Sequence, residues 1–594
     1  MVNRKSNYLQ KSAPSRFVLL PTGYVERRDD HLPIPISEED KENFGDDIEK
    51  VLTERNLPYS HADFGFAPDV RNIDEMYDED LKHAEAYANI INEDDEVEVE
   101  GLGDQVLNCV ESWKEAFDGK LLENIIRSKY IRPRNIQCSV IPLILDHYDL
   151  IVSAETGVGK TAAYLLPIID ECMKDKIKGE FTSAPNTPYA VILGPTRELV
   201  KQAFEQATKF AHDTGVSVAK AYGEYSVKKN KKEIGKLCDI ICATPGRFLD
   251  FVENKVINLS KVRFLVFDEC DILLAGDFKR VIDTALFGCE IQIAINRTTL
   301  FFSATMNDET IQLAKEYMRP EEILIVKNKV IAPSKKCVQE FKIAPKVGKF
   351  GQLLAYFRSE LVKVDKDAKR LSPTFIFCEQ RLSCEKIAYS LEKYGIPILP
   401  LSGLRAQDLR EKALKEFRDN SITVLCVTDL GSRGIDVKDV DLVINYDMPK
   451  DYASYVHRVG RAGRIRHGKC ISYVSPQTDG PLLLNIKKAM EKAGQKIPPS
   501  LIDCINTIDD SNTESPSLER GNNFVNTEGV LGTTNKVEES VATINVKKEE
   551  KSAKPQVFIK QVEEEKNIET FENVTEKHPP SSEKEEDILD DDGW

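Results

Sequence analysis

The sequence has no apolar run of the roughly 18 residues that a membrane helix needs, and its polar first ten residues lack the hydrophobic centre of a signal peptide. Its 13 cysteines include no C-x-x-C pair, Cys238 and Cys242 being the nearest neighbours. That excludes the usual patterns of a disulfide framework or a zinc site. The first hundred residues show no sustained hydrophobic periodicity, and their aromatics (Tyr24, Phe44, Phe64, Phe66, Tyr77, Tyr87) stand isolated among Pro, Asp and Glu. These absences predict a soluble protein of a reducing compartment, with no membrane partner. They also predict a mostly disordered arm over 1–96. Residues 506–594 read as a second arm, rich in Ser, Thr, Asn, Glu and Lys, with an acidic run at 585–592 before Gly593 and Trp594.

Charge is in short supply on the basic side: 81 Lys and Arg face 98 Asp and Glu, for a net charge of −17. Taken whole, that balance argues against a polyanion-binding protein. The excess lies at the ends, however. Residues 1–112 hold 27 acidic and 11 basic side chains and residues 506–594 hold 22 and 10, which leaves the centre at +11. A basic centre between two acidic arms suits a core that meets a phosphate backbone while its ends stay solvated.

That centre contains short apolar runs of the kind that buried parallel strands present: 149–153, 190–193, 239–242, 263–267 and 299–302. A second series follows at 374–378, 397–400, 422–427, 441–445 and 470–474, again with amphipathic helical stretches between the runs. Strand and helix alternating twice over predicts an α/β protein of two tandem doubly wound parallel-sheet domains. The boundaries expected are 97–327 and 346–505, joined by a Pro- and Lys-bearing linker over 328–345. A cleft between such lobes is the default ligand site.

After the run at 149–153 comes A-E-T-G-V-G-K-T, from Ala154 through Glu155, Thr156, Gly157, Val158 and Gly159 to Lys160 and Thr161. This is a phosphate loop between a strand and a helix, although Ala154 replaces the first glycine of the general pattern. Its glycines let backbone N–H groups approach phosphates, Lys160 reaches the β and γ oxygens, and the Thr161 hydroxyl suits Mg²⁺. The run at 263–267 ends in Asp268, Glu269, Cys270 and Asp271. Asp268 is expected to bind Mg²⁺, and Glu269 to orient or deprotonate the attacking water. Ser303, Ala304 and Thr305 follow another strand end. His457, Arg458, Arg461 and Arg464 crowd into eight residues of the second lobe, where Arg461 and Arg464 suit arginine fingers on a γ-phosphate.

Taken together, these segments resemble the DEAD-box RNA helicases, over roughly residues 97–500 and in about ten motifs in the right order. The resemblance implies two RecA-like lobes with ATP and Mg²⁺ in the cleft and RNA across both. In that family Tyr130 stacks on adenine, Gln137 reads its edge, Arg132 belongs to the same element, and Trp113 takes the upstream aromatic position, with Phe117 as the other candidate. Pro195, Thr196, Arg197, Gly223, Thr244, Pro245, Gly246 and Arg247 match the RNA-contacting motifs of the first lobe. Gln407, Arg410 and Thr428 match those of the second, Gly434 and Asp436 are assigned to the nucleotide, and His457, Asp271 and the Ser303–Thr305 motif to coupling between lobes. Such contacts imply single-stranded RNA and short duplexes held by phosphates, with little base reading and a steep salt dependence. The implied mechanism is local: ATP and RNA close the lobes, the bound strand bends, and hydrolysis resets the clamp.

Several positions depart from the family pattern. Glu155 and Val158 replace Gln and Ser, Arg134 and Asn135 replace Thr-Pro, Cys270 replaces Ala, and Glu224 stands where a second glycine is usual. A carboxylate beside an RNA phosphate costs electrostatically, so Glu224 weakens the expected grip on RNA. D-E-C-D also occurs in helicases of splicing and mRNA export, but Pro195 and Gly460 disagree with that branch. The lead-in through Tyr24-Val25, Tyr87, Ile90, Val97, Val99 and Gly101, and the acidic end at Trp594, resemble the Vasa-like germline helicases instead. That branch implies a monomeric cytoplasmic protein of perinuclear RNA granules, with protein partners at the acidic arms and Trp594. Residues 1–100 nevertheless carry no RGG repeats and no zinc knuckles. Lys228, Lys229, Lys231 and Lys232 read as an exposed helix face beside the RNA path. A rival reading of another class, an ATP-binding RNA clamp with little turnover, is opposed by the intact Lys160, Asp268, Glu269, Arg461 and Arg464.

Overall fold

The computed structural model describes residues 71–90, 96–103, 106–155, 157–287, 297–328, 336–345, 347–363, 371–405, 407–432, 440–463 and 467–513, together with a short antiparallel pair, Phe17–Leu19 and Val25–Arg27. The continuous apolar runs form strands buried on both faces, as a parallel sheet covered by helices requires. Every residue of Asp149–Ser153, Ala190–Leu193, Phe264–Asp268 and Thr298–Ser303 is buried. Alternation along a strand then divides the core in two. Leu150 and Val152 join the layer that holds Tyr164 and Phe302, whereas Ile151 joins the layer that holds Phe267 and Tyr317.

The first lobe is built on an eight-stranded sheet, in the spatial order Val97–Glu100, Ile323–Asn328, Asp149–Ser153, Thr298–Ser303, Phe264–Asp268, Ala190–Leu193, Ile240–Ala243, Val218–Ala221. Its neighbours are parallel except for Val97–Glu100, which runs antiparallel to Ile323–Asn328. The second lobe has six parallel strands in the order Cys337–Ile343, Gly468–Val474, Leu442–Asn445, Thr374–Cys378, Val424–Thr428, Ile398–Leu401. In both lobes the connecting helices carry each chain back, so the loops that bear motifs gather at the C-terminal ends of the strands.

Four strands fall outside the runs expected from the sequence: Ile323–Asn328, which opens with the continuous apolar run I-L-I-V, and Val97–Glu100, Val218–Ala221 and Cys337–Ile343, which have none. The last corrects the expected linker. Within 328–345, C-V-Q-E-F-K-I pairs in parallel with Gly468–Val474 as the edge of the second sheet. Its burial alternates, with Cys337, Gln339 and Phe341 inward and Val338 exposed, because an edge strand has one face in water. At the other end of the lobe the helix Pro499–Thr513 passes the expected boundary at 505, and Ser500 Oγ accepts the Phe341 backbone N–H at 3.1 Å.

The N-terminal arm also contains a helix, Ile73–Ile90, that docks on the first lobe. Met76, Tyr77 and Asp80 are its buried residues on the described part. Tyr77 donates to the Lys209 carbonyl at 3.0 Å, and Asp80 forms a buried ion pair with Lys209. Trp594 and most of both acidic arms lie outside the described residues.

Candidate functional site

Asp149–Ser153, Thr298–Ser303 and Phe264–Asp268 are adjacent in the sheet, so their C-terminal ends bring the phosphate loop, Ser303–Thr305 and the D-E-C-D segment together. Gly157 and Gly159 both hold positive φ, +90° and +91°. At Gly159 a side chain is excluded twice over, because a β-carbon would also stand 2.4 Å from Gln137 Nε2. Gln137 ties this loop to the segment that precedes its own helix: its Nε2 donates to the Gly159 carbonyl at 3.1 Å, and its Oε1 accepts the Arg134 N–H at 2.9 Å. Lys160 opens the helix Lys160–Lys178, whose first N–H groups have no helical acceptor and suit an anion. Its ammonium is buried and donates to the Ala154 carbonyl at 2.8 Å.

The carboxylates are held with equal care. Tyr164 donates its hydroxyl to Asp268 Oδ2 at 2.9 Å, and the Glu269 N–H donates to Oδ1 at 3.0 Å. Burial, and then the neighbouring Glu269 charge, push the Asp268 carboxyl up to about 6, while Lys160 pulls the other way. A buried acid raised by a second carboxylate is a fitting ligand for a divalent cation, with the half-buried Thr161 hydroxyl near the helix start. Glu269 itself sits at φ +53°, a left-handed turn that starts the short helix Cys270–Leu273.

The second lobe completes the cluster. His457, 4% exposed, brings Nε2 to 3.7 Å from Glu269 Oε2 and 3.8 Å from Asp271 Oδ2. Asp271 also accepts the Ser303 hydroxyl at 2.7 Å, and Ser303 Oγ accepts the Thr305 N–H at 3.2 Å. A chain of contacts thus runs from Ser303 through Asp271 to the opposite lobe. Arg461 is buried next to the end of the helix Tyr452–Val459. Arg458 has a structural task instead: its guanidinium holds both Asp429 oxygens and the Asp447 carbonyl. Glu155 faces this lobe too, since its charge helps burial to push the Tyr452 hydroxyl up to about 12.

Among the residues expected to hold adenine, Trp113 is buried with its ring 6.1 Å from the half-buried Tyr130 and 6.4 Å from Phe117, and Tyr130 meets Phe210 edge-on at 5.7 Å. Both candidates for the upstream aromatic therefore belong to one aromatic cluster. Arg132 is exposed. Thr156, Gly434, Asp436 and Arg464 lie outside the described residues.

The residues matched to RNA contact gather along a rim shared by both lobes. Thr196 caps the helix Arg197–Phe210 by accepting the Leu199 N–H at 3.2 Å, behind a buried Pro195. Thr244, Pro245 and Gly246 open the helix Pro245–Glu253, and Arg247 donates to the Tyr225 carbonyl and Asn230 Oδ1. Across the gap, Arg410 pairs with Glu198 at 2.8 Å, Gln407 Nε2 donates to Glu198 Oε1 at 3.2 Å, and Lys201 pairs with Glu411 at 2.6 Å. Glu224 takes part, bound to Arg197 at 2.8 Å. Thr428 is buried at the end of its strand. Lys228, Lys229, Lys231 and Lys232 are exposed on the helix Val227–Ile234, as expected.

Sequence reasoning missed Tyr164, Glu198 and Glu411. Tyr164 carried a usable signal, because it stands four residues after Lys160 and so on the same helix face. Glu198 lies in a motif already read and Glu411 directly follows one, but their partners belong to the other lobe.

The DEAD/DEAH box helicase pattern matches residues 134–314, and the helicase conserved C-terminal domain pattern matches 353–466. The chain carries both domains of a DEAD-box helicase. The chain is 33% identical over 455 residues to the probable ATP-dependent RNA helicase DDX4 of Pelophylax lessonae, an alignment that covers 75% of this chain and 61% of that protein. It is 33% identical over 385 residues to the ATP-dependent RNA helicase vasa of Drosophila melanogaster, covering 65% of this chain and 56% of vasa. It thus spans less than two thirds of the length of these relatives. A substituted S. cerevisiae Dbp5, solved with RNA and ADP BeF3, matches the helicase fold with a TM-score of 0.54 at 25% identity, over 67% of this chain and 99% of that one.

Proposed function

We propose that this chain is an ATP-dependent RNA helicase that hydrolyses ATP in the cleft between its lobes and locally unwinds RNA duplexes or strips RNA–protein complexes. One observation carries the reading above all: His457 from the second lobe meets Glu269 and Asp271 of the first, beside Lys160 and Asp268. A site divided between two lobes links phosphate chemistry to the angle between them. The names of the relatives, ATP-dependent RNA helicases, support the same reading.

In this reading Gly157, Gly159 and Lys160 bind the phosphates, and Trp113, Tyr130 and Gln137 bind the base. Glu269 orients a water whose oxygen attacks the γ-phosphorus and takes up the proton released. The bond from that phosphorus to its bridging oxygen breaks, and charge moves onto ADP. Asp268 and Thr161 would hold Mg²⁺, which when bound neutralises phosphate charge. Arg461 and Arg464 stabilise the charge developing on the transferred group. Asp271, Ser303 and His457 carry the state of the nucleotide across to the second lobe. The likeness to Vasa-like proteins supports a place in germline RNA regulation in the cytoplasm, within RNA granules.

Steady-state ATP hydrolysis by the full chain, with and without single-stranded RNA and with Lys160→Ala as background, tests the proposal. RNA-stimulated turnover abolished by Lys160→Ala is expected. Nucleotide binding without any response to RNA would overturn it in favour of a clamp that holds RNA and turns over little.

A further inference from the structure

Position 224 combines a conformational cost with a contact that offsets it. Its φ is +62°, in the left-handed region that glycine occupies freely and a residue with a β-carbon avoids. The residue there is nevertheless a glutamate, and both of its carboxylate oxygens are engaged. Oε1 lies 2.8 Å from Arg197 Nη1 in the first lobe, and Oε2 accepts the backbone N–H of Gln407 in the second at 3.0 Å. Gln407 is the first residue of the helix Gln407–Arg418, so this N–H is one that no helical carbonyl can take. Arg197 Nη1 also reaches Gln407 Oε1 at 3.3 Å, which brings the guanidinium and the helix start to the same carboxylate.

A guanidinium and the N-terminus of a helix converging on one anion is the arrangement that binds phosphate. Here the anion belongs to the chain itself. We propose that Glu224 is a built-in substitute for an RNA phosphate: it joins the RNA-facing rims of the two lobes in the absence of RNA, and RNA must displace it to engage Arg197 and Gln407. The inference rests on the helicase reading above. It assigns Glu224 a positioning role with two linked consequences. Closure of the lobes without RNA is favoured, which raises the RNA-free rate of ATP hydrolysis, and RNA pays for the displacement in affinity.

The test compares Glu224→Gly and Glu224→Gln with the wild-type full chain, by ATP turnover against concentration of a single-stranded RNA oligomer and by RNA binding across a salt series. Glycine suits the backbone at 224, so the first variant folds, and glutamine keeps the shape without the charge. For Glu224→Gly the expected RNA-free kcat is about threefold lower and the half-saturating RNA concentration about threefold lower, the scale of one partly exposed ion pair. The slope of log affinity against log salt steepens by about 0.7, one single-strand phosphate's share, because no carboxylate freed by the RNA is left to take a cation back. Glu224→Gln shifts both quantities in the same direction, and KM for ATP stays at the wild-type value. RNA-free rate, RNA half-saturation and salt slope all equal to wild type in both variants would overturn the role of Glu224 while leaving the helicase reading intact. Turnover that ignores RNA in the wild type and both variants would instead overturn the helicase reading.

Discussion

Tyr164 moderates the acidity of the carboxylate beside it. Burial and the Glu269 charge push the Asp268 carboxyl up to about 6, and the hydrogen bond donated by the Tyr164 hydroxyl opposes that rise. Tyr164→Phe removes the donor, so the Asp268 carboxyl moves further up and must lose its proton at higher pH before it can hold a cation. The acid limb of the pH–rate profile of ATP hydrolysis is expected to shift to higher pH, with a loss of about 1.5–3 kcal/mol for a charge-assisted hydrogen bond. A profile superimposable on wild type would contradict this. Glu269 differs because the proposed mechanism places it in the chemical step. Glu269→Gln is expected to lower kcat by about 10²–10⁴, the usual contribution of a positioned general base. Both ligands still bind, so RNA release under saturating ATP slows. Release as fast as wild type would count against the assignment.

Among the elements, the helix Ile73–Ile90 shows why a docked segment can escape a search for periodicity. It attaches through Met76, Tyr77 and Asp80, two apolar residues and one carboxylate, while Leu81 stays 56% exposed. A stripe with a charged member leaves no amphipathic signature. The attachment is nonetheless specific. Asp80 meets a Lys209 that is 1% exposed, and the Arg127 guanidinium lies 4.0 Å over the Tyr77 ring. Asp80→Asn removes the charge that faces a buried ammonium, which costs about 3 kcal/mol when a buried pair loses one member. The urea midpoint of the full chain is expected to fall accordingly, and Asp80→Leu with Lys209→Met to recover most of it. An unchanged midpoint in the single variant would show that the helix is not held this way. The same logic explains which strands were legible. Asp149–Ser153, Ala190–Leu193 and Thr374–Cys378 are buried on both faces and read as apolar runs, whereas the edge strands Val97–Glu100 and Cys337–Ile343 alternate with polar residues and do not.

For the whole molecule the question is what couples the lobes. Lys201 and Glu411 pair across the rim, each less than a fifth exposed, near the Glu198–Arg410 pair. Lys201→Glu sets two carboxylates face to face and is expected to lower RNA-stimulated turnover, and adding Glu411→Lys to restore part of it. A coupling energy of about 0.5–3 kcal/mol from the double-mutant cycle is the expected scale for residues in contact. Strictly additive losses would show that the pair does not act between the lobes. What the sequence determined by itself was the local chemistry: the phosphate loop, the D-E-C-D carboxylates and the His457–Arg464 cluster. In each, the groups are a few residues apart in sequence, and those among the described residues lie at one strand end or one end of a helix. Only the tertiary structure decided which of these groups meet. Glu224 reaches Gln407 across 183 residues of chain, and Arg197 reaches it across 210. No local pattern encodes such a meeting, because it depends on two separately folded sheets bringing their loops to one cleft.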